Sequence, residues 1–174
     1  MEELDHRTIK VFPSGGPNII QEAIDLFPTY GKGGGKTANG TVILPPGDSE
    51  LERPLQVTGR FNLRGTSKEL HGPDSGASII APPNAEFAVE VLPTDGANYN
   101  GNFGQNIENL RLVNAGIRYG TAQCGTLRNI YIDSLDGPNI GVDVMQGTNG
   151  GAAHEVRVMA RNKDATAFRQ RDNS

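Results

Sequence analysis

Tryptophan is absent from this 174-residue sequence, aromatic residues make up only 6% of it, and cysteine occurs once, as Cys124. A lone cysteine excludes an internal disulfide and any cysteine-based metal cluster, which leaves a small buried corner residue as its ordinary role. An excess of positive charge is also missing: 16 Lys and Arg stand against 20 Asp and Glu, for a net charge of −4. Nucleic-acid binding rests mainly on phosphate neutralisation by Lys and Arg, so no nucleic-acid partner is expected. Nowhere does an apolar run approach the roughly 18 residues of a membrane-spanning helix, and the N-terminus has no signal-peptide core. The expectation is a soluble chain with no membrane partner. Scarce aromatics beside 23 Gly and 11 Pro suit many short strands and tight corners and argue against a helical bundle.

What the sequence does have is a repeat. Ile107-Glu108-Asn109-Leu110-Arg111-Leu112-Val113-Asn114 leads into Gly116-Ile117-Arg118-Tyr119, and Leu127-Arg128-Asn129-Ile130-Tyr131-Ile132-Asp133-Ser134 leads into Ile140-Gly141-Val142-Asp143-Val144. Both times a period-2 apolar strand, a short polar corner and a second period-2 strand follow in the same order. Two tracks extend this unit. In the first, Leu63-Arg64, Val89-Glu90, Ile117-Arg118, Val142-Asp143 and Phe168-Arg169 recur at steps of roughly 26 residues, a solenoid-like period. In the second, Leu110, Ile130 and Val156 are followed by Arg111, Tyr131 and Arg157 and then by another apolar residue, and Ser78-Ile79-Ile80-Ala81 fits as an earlier member. With no helical pattern between strands, the period indicates an all-β solenoid in which each coil buries its apolar face by stacking on the next. One domain over 8–174 is expected, after a polar, mobile lead-in over 1–7.

Thr8 to Phe12 alternates as a first strand. Asn18 then opens the one convincing helix, 18–27, with Asn18 and Gln21 as a capping pair and Ile20, Ala23, Ile24 and Phe27 as a narrow apolar stripe. Ahead of a solenoid such a helix reads as a cap over the first coil and its strand edges. Gly31-Lys32-Gly33-Gly34-Gly35-Lys36-Thr37 looks like a phosphate loop but has the wrong register and runs from helix to strand, the reverse of what phosphate binding needs. No cofactor is expected, and no Asp cluster has calcium-ligand spacing. Asn39-Gly40-Thr41 is a formal glycosylation sequon without a secretory context.

Ile20-Gln21-Glu22-Ala23-Ile24-Asp25, a Gly-rich gap, Gly40-Thr41-Val42-Ile43-Leu44-Pro45-Pro46-Gly47, then Pro54-Leu55-Gln56-Val57 and Leu63-Arg64-Gly65 resemble the start of the pectin-lyase-like right-handed parallel β-helices. That superfamily includes pectate lyases, polygalacturonases, related epimerases and phage tailspike glycosidases. The resemblance implies a right-handed parallel β-helix of about five to six coils, and a function of binding, and in some members cleaving, an extended polysaccharide. Its members are often extracellular or virion-associated. The same architecture also hosts non-catalytic modules such as parts of a phage tail or surface appendage. The signatures of the enzymes are missing: there is no Asn-Thr-Asp, adjacent Asp-Asp or Arg-Ile-Lys element, His71-Gly72 lacks its partners, and no calcium strand is present. After Phe168 no second cap follows, so either a continuation of the chain or another copy, as in the trimeric tailspikes, is expected to cover the last coil.

Stacking the coils places Arg64, Glu90, Arg118, Asp143 and Arg169 on one outward row of alternating sign. Such a row is either a ladder of surface ion pairs or a grip for an acidic sugar polymer. Glu90 and Asp143 are the candidate catalytic carboxylates: two coils apart, about 9.6 Å, they match the separation used by inverting glycosidases. Arg118 between them would keep both ionised and poor as acids. The candidate substrate-binding residues are Arg118, the second outward row Arg111, Tyr131 and Arg157, and Tyr99 in the long polar loop 93–105. Loops 65–77, 93–105, 120–125 and 146–153 are expected to leave one common corner as a wall beside the sheets. Asn109 and Asn129 occupy equivalent places at a bend, where their amides are expected to stack as an internal ladder, ending where Glu155 replaces Asn. Asp133 is placed at a corner, Asp136-Gly137-Pro138 as a turn, and His71 and His154 as exposed loop residues.

Overall fold

The computed structural model describes residues 1–5, 8–27, 40–57, 61–66, 76–91, 105–120, 125–135, 139–145, 151–161 and 163–171. Their elements are β1 (Glu2–Asp5), β2 (Thr8–Lys10), α1 (Ile19–Asp25), β3 (Gly40–Leu44), β4 (Gly47–Glu50), β5 (Leu55–Val57), β6 (Phe61–Gly65), β7 (Ala77–Ile80), β8 (Phe87–Val91), β9 (Asn106–Val113), β10 (Gly116–Tyr119), β11 (Thr126–Leu135), β12 (Ile140–Val144), β13 (Ala152–Ala160) and β14 (Thr166–Gln170). The chain is all-β, with parallel sheets and, among the described residues, one short α-helix. From β8 onward it alternates between two sheets: β8, β10, β12 and β14 fall in a five-stranded sheet ordered β14-β12-β10-β8-β5, and β9, β11 and β13 in a nine-stranded one. Among the described strands only the β1–β2 pair is antiparallel.

The apolar alternation explains the core. On the larger sheet Val42, Leu63, Ile107 and Leu127 lie in register, as do Leu110 and Ile130 further along. On the smaller sheet Leu55, Val89, Ile117 and Val142 do the same. All ten are buried and belong to one continuous cluster, because period-2 alternation points every second side chain to the same side of its sheet.

The register corrects one assignment. Leu63 and Arg64 do not share a row with Val89 and Glu90; they pair with Ile107 and Glu108 on the nine-stranded sheet. Leu55-Gln56 holds the place expected for them. A spacing of one coil cannot tell which sheet a strand joins when both sheets alternate alike. The loops are corrected with it. The flanks of 67–75 are β6 and β7, both of which pair with β9, so this stretch leaves from within the larger sheet, whereas 92–104, 121–124 and 146–150 leave between the sheets.

β9, β11 and β13 share one bend, at Asn109 (φ 55°), Asn129 (φ 49°) and Glu155 (φ 55°), and β11 has a second left-handed residue near its end, Ser134 (φ 58°). Side chains with a Cβ rarely adopt this left-handed conformation, and Asn tolerates it best. The expected ladder is present: the Asn129 amide donates to the Asn109 carbonyl oxygen at 3.0 Å, and the Asn109 amide donates to the Gly65 backbone carbonyl at 3.4 Å. Asn129→Ala removes this bond and puts a residue with no left-handed preference at the bend. A loss of about 2 kcal/mol is expected, to be read from urea unfolding. A second ladder, not foreseen from the sequence, runs through Thr41, Asn62, Asn106 and Thr126, with Asn106 donating to Asn62 at 2.8 Å and Thr126 to Asn106 at 2.6 Å.

The helix is shorter than expected and starts differently. Asn18 has helical dihedrals (φ −99°, ψ −6°) and makes no capping bond, since a cap needs an extended residue; its amide donates to Glu52 at 3.1 Å. Gln21 is no capping partner either. Its side-chain oxygen accepts from the Gln56 N–H at 2.8 Å and its amide donates to the Gln56 carbonyl at 3.1 Å, so one side chain supplies β5, the edge of the smaller sheet, with both bonds of a missing strand neighbour. Ile20, Ala23 and Ile24 are buried as the stripe predicted. Residues 2–5, read as a mobile lead-in, form β1 on β2. The Gly/Lys loop, Asn39, His71, Tyr99, Cys124 and Asp136 lie outside the described residues.

Candidate functional site

The outward row of the five-stranded sheet is Gln56, Glu90, Arg118, Asp143 and Arg169, in register across five parallel strands. Parallel pairing sets neighbours about 4.8 Å apart, so each charge meets one of opposite sign. Arg118 donates to Glu90 at 3.0 Å and reaches Asp143 and Glu86 at 3.5 Å, and its guanidinium sits 4.3 Å from the centre of the Phe87 ring, a favourable cation–π geometry. Gln56 donates to the other Glu90 oxygen.

Asp143 is the most enclosed member. It was expected on the outer surface, yet its side chain is 0% exposed, because Arg169 and Arg171 close over it. Arg169 donates to both carboxylate oxygens at 2.8 Å, and Arg171 donates to the same two at 3.3 and 2.6 Å. Burial by itself pushes the Asp143 carboxyl up; the hydrogen bonds and charges of Arg169 and Arg171 outweigh that and hold it well below the usual carboxylate range. The same bonds raise both guanidinium groups. A carboxylate so held stays ionised, donates no proton to a leaving group and is a poor base.

On the nine-stranded sheet Arg111, Tyr131 and Arg157 stack in register as predicted, but on a different sheet from Arg118. Arg111 is already engaged: its guanidinium pairs with Asp133, the Nε bond measuring 3.2 Å. Asp133 lies near the end of β11, directly before the left-handed Ser134 (φ 58°), where the register with β13 shifts. Burial raises its carboxyl, and Arg111 more than offsets this, leaving it below its ordinary value. Glu90, Arg118 and Asp143 are thus brought together, Arg111, Tyr131 and Arg157 form a separate row, and His154 is exposed as expected but lies on strand β13, paired with Arg128 of β11, and not in a loop.

Two features escaped the sequence reading. One is Arg171, which has no place in the repeat. The other is a polar groove of about 460 Å³ at the bend of the larger sheet, lined by Arg64, Glu108, Asn109, Arg128, Asn129 and Glu155. The triplets Leu63-Arg64-Gly65, Ile107-Glu108-Asn109 and Leu127-Arg128-Asn129 share one pattern, which was the available signal for it. Among the described residues no group of His, Cys, Asp and Glu could hold a metal ion.

This arrangement defines a class, an all-β chain of stacked parallel strands with one row of charges cross-linked between layers. No protein-family model matches the chain, and no curated protein matches it. Among solved structures its fold is similar to ORF18 of Geobacillus virus E2, with a TM-score of 0.53 and 17% identity, over 78% of this chain and 30% of that one. The chain therefore spans about a third of that protein's length.

Proposed function

We propose that the chain is a right-handed parallel β-helix of about five to six coils, of the pectin-lyase-like kind, serving as a non-catalytic structural module of a phage tail or similar appendage. The alternation of strands between two parallel sheets and the polar ladders at the bend support the fold, and the similarity to a viral protein's structure fits the setting. The observation that carries the non-catalytic reading is the state of Glu90 and Asp143. Inverting hydrolysis needs one protonated and one ionised carboxyl facing a gap that admits water; here Arg118 occupies the gap, and Asp143 is buried under two further arginines.

Incubation with acidic and neutral polysaccharides, followed by both new reducing ends and unsaturated-uronide absorbance, tests this. No product is expected by either readout. Product formation that disappears in Glu90→Gln would overturn the proposal and establish a polysaccharide-degrading enzyme.

A further inference from the structure

The two ends of the stack differ in charge and in surface. At the first, α1 lies beyond β5, the edge strand of the smaller sheet, with Ile20, Ala23 and Ile24 in the core and Gln21 on the β5 backbone. The other side of the helix exposes Glu22 and Asp25, and at its end Leu26, which is 62% exposed. Residues three and four apart share a helix face, so these three form one patch, acidic with an apolar centre. At the second end, β13 and β14 are the last strands of their sheets. Val156 and Val158 are only partly buried there, whereas Ile130 and Ile132, their register partners one coil below, are fully covered. Met159 and Phe168 are more than half exposed. Ala153 stands in register with Leu127, and the smaller side chain leaves a socket of about 190 Å³ lined by Tyr119, Leu127, Ala153, Phe168 and Gln170. The rim is basic: over 151–171 Arg157, Arg161, Lys163, Arg169 and Arg171 stand against Glu155 and Asp164, in a chain whose net charge is −4.

The geometry points to a head-to-tail contact between two copies of this chain, in which the outer side of α1 from one copy closes the last coil of the next. Leu26 enters the socket, and Glu22 and Asp25 meet the basic rim. The inference rests on the structural-module reading and says how the module assembles. Charge selects the polarity: tail against tail sets the basic rim on itself, head against head does the same to Glu22 and Asp25, and only head on tail joins opposite signs. Apolar surface selects the place, because the last coil continues the stacking face that every earlier coil buries on its neighbour. A helix laid over strand edges is also one of the ways such edges are protected, and α1 already does this for β5 in its own chain. The two surfaces in contact are different, so each added copy leaves one of each kind unused. Such a contact builds an open stack and not a closed pair, a geometry suited to an elongated appendage and distinct from a side-by-side trimer.

Sedimentation velocity of the full chain over a range of concentrations tests this. Dimers and longer species are expected at low ionic strength, with association weakened about tenfold or more in high salt, because the charges that meet are exposed. Leu26→Lys on the head should abolish association, and so should Arg157→Glu/Arg161→Glu/Lys163→Glu on the tail. An equimolar mixture of the two should form a dimer and stop there, since each retains the surface the other has lost. Ala153→Leu, which fills the socket from within, should weaken association at least about tenfold while circular dichroism and melting show every variant folded. A wild-type chain that stays monomeric, a closed trimer, association lost in the tail variant but kept in Leu26→Lys, or a mixture that remains monomeric would each overturn the inference. A monomer that yields no product from polysaccharides removes the stacking alone, whereas product formation removes the non-catalytic reading, so the two failures are told apart.

Discussion

Gly116→Ala is expected to remove at least about 4 kcal/mol of stability, enough to leave a domain of ordinary stability largely unfolded. Gly116 opens β10, between β8 and β12. A Cβ built there falls well inside the contact distance of the Ile140 and Gly141 carbonyl oxygens, which belong to β12 or its backbone partners and cannot rotate away like a side chain. Paired strands sit at a fixed spacing of about 4.8 Å, so relief requires prising β10 from β12 and breaking the row that joins Arg118 to Asp143. Gly120→Ala is the matched comparison, since its added carbon meets the Met145 sulfur at 3.0 Å, where a methionine chain can give way, and the Val91 carbonyl oxygen at 3.2 Å, a backbone contact short by only a few tenths of an ångström. That variant should lose no more than about 1 kcal/mol. Far-UV circular dichroism and urea midpoints measure both, and a Gly116→Ala protein within 1 kcal/mol of wild type would show that β10 and β12 are not packed this closely.

Much of the layering was legible in the sequence because it is written in period-2 apolar residues repeated once per coil. Ile117 with Val142 and Leu110 with Ile130 fall in register as the repeat places them, and the equivalence of Asn109 and Asn129 was enough to foresee their amide ladder. What failed was information that the period does not contain. Leu63-Arg64 satisfies the spacing of either sheet, and only the pairing of β6 with β3 and β9 decides between them. The helix start was misread for a different reason: Asn18 has the chemistry of a cap, but its side chain is drawn to Glu52, 34 residues away, a tertiary contact that local propensity cannot see. The candidate site was legible as a row of alternating charge and illegible as an environment. Nothing in the spacing of Asp143 says that Arg171, one residue past the last strand, would fold back and seal it.

That seal gives the second large effect. Asp143→Asn should cost about 3 kcal/mol, since removing the charge from a fully buried carboxylate leaves its arginine partners uncompensated. The figure sits at the low end of that range because Arg169 and Arg171 are 40% and 41% exposed at their side chains and keep part of their hydration. In a protein of this size such a loss lowers the melting temperature by roughly 6–12 °C. The pH dependence follows from the direction of the shift. The carboxyl is held below its unfolded value of about 3.9, so the unfolded chain takes up the proton first as the pH falls. The stability it confers is full above about pH 5 and is lost progressively below the unfolded value. Asp133, also held low by Arg111, contributes in the same sense. Wild-type stability measured between pH 7 and pH 2.5 should therefore fall steeply at the acid end, and Asp143→Asn, already lacking the charge, should start lower and fall less. Parallel curves for the two proteins would mean that the arginines do not stabilise the ionised carboxylate, and the row would then be an ordinary exposed surface, open again to a ligand.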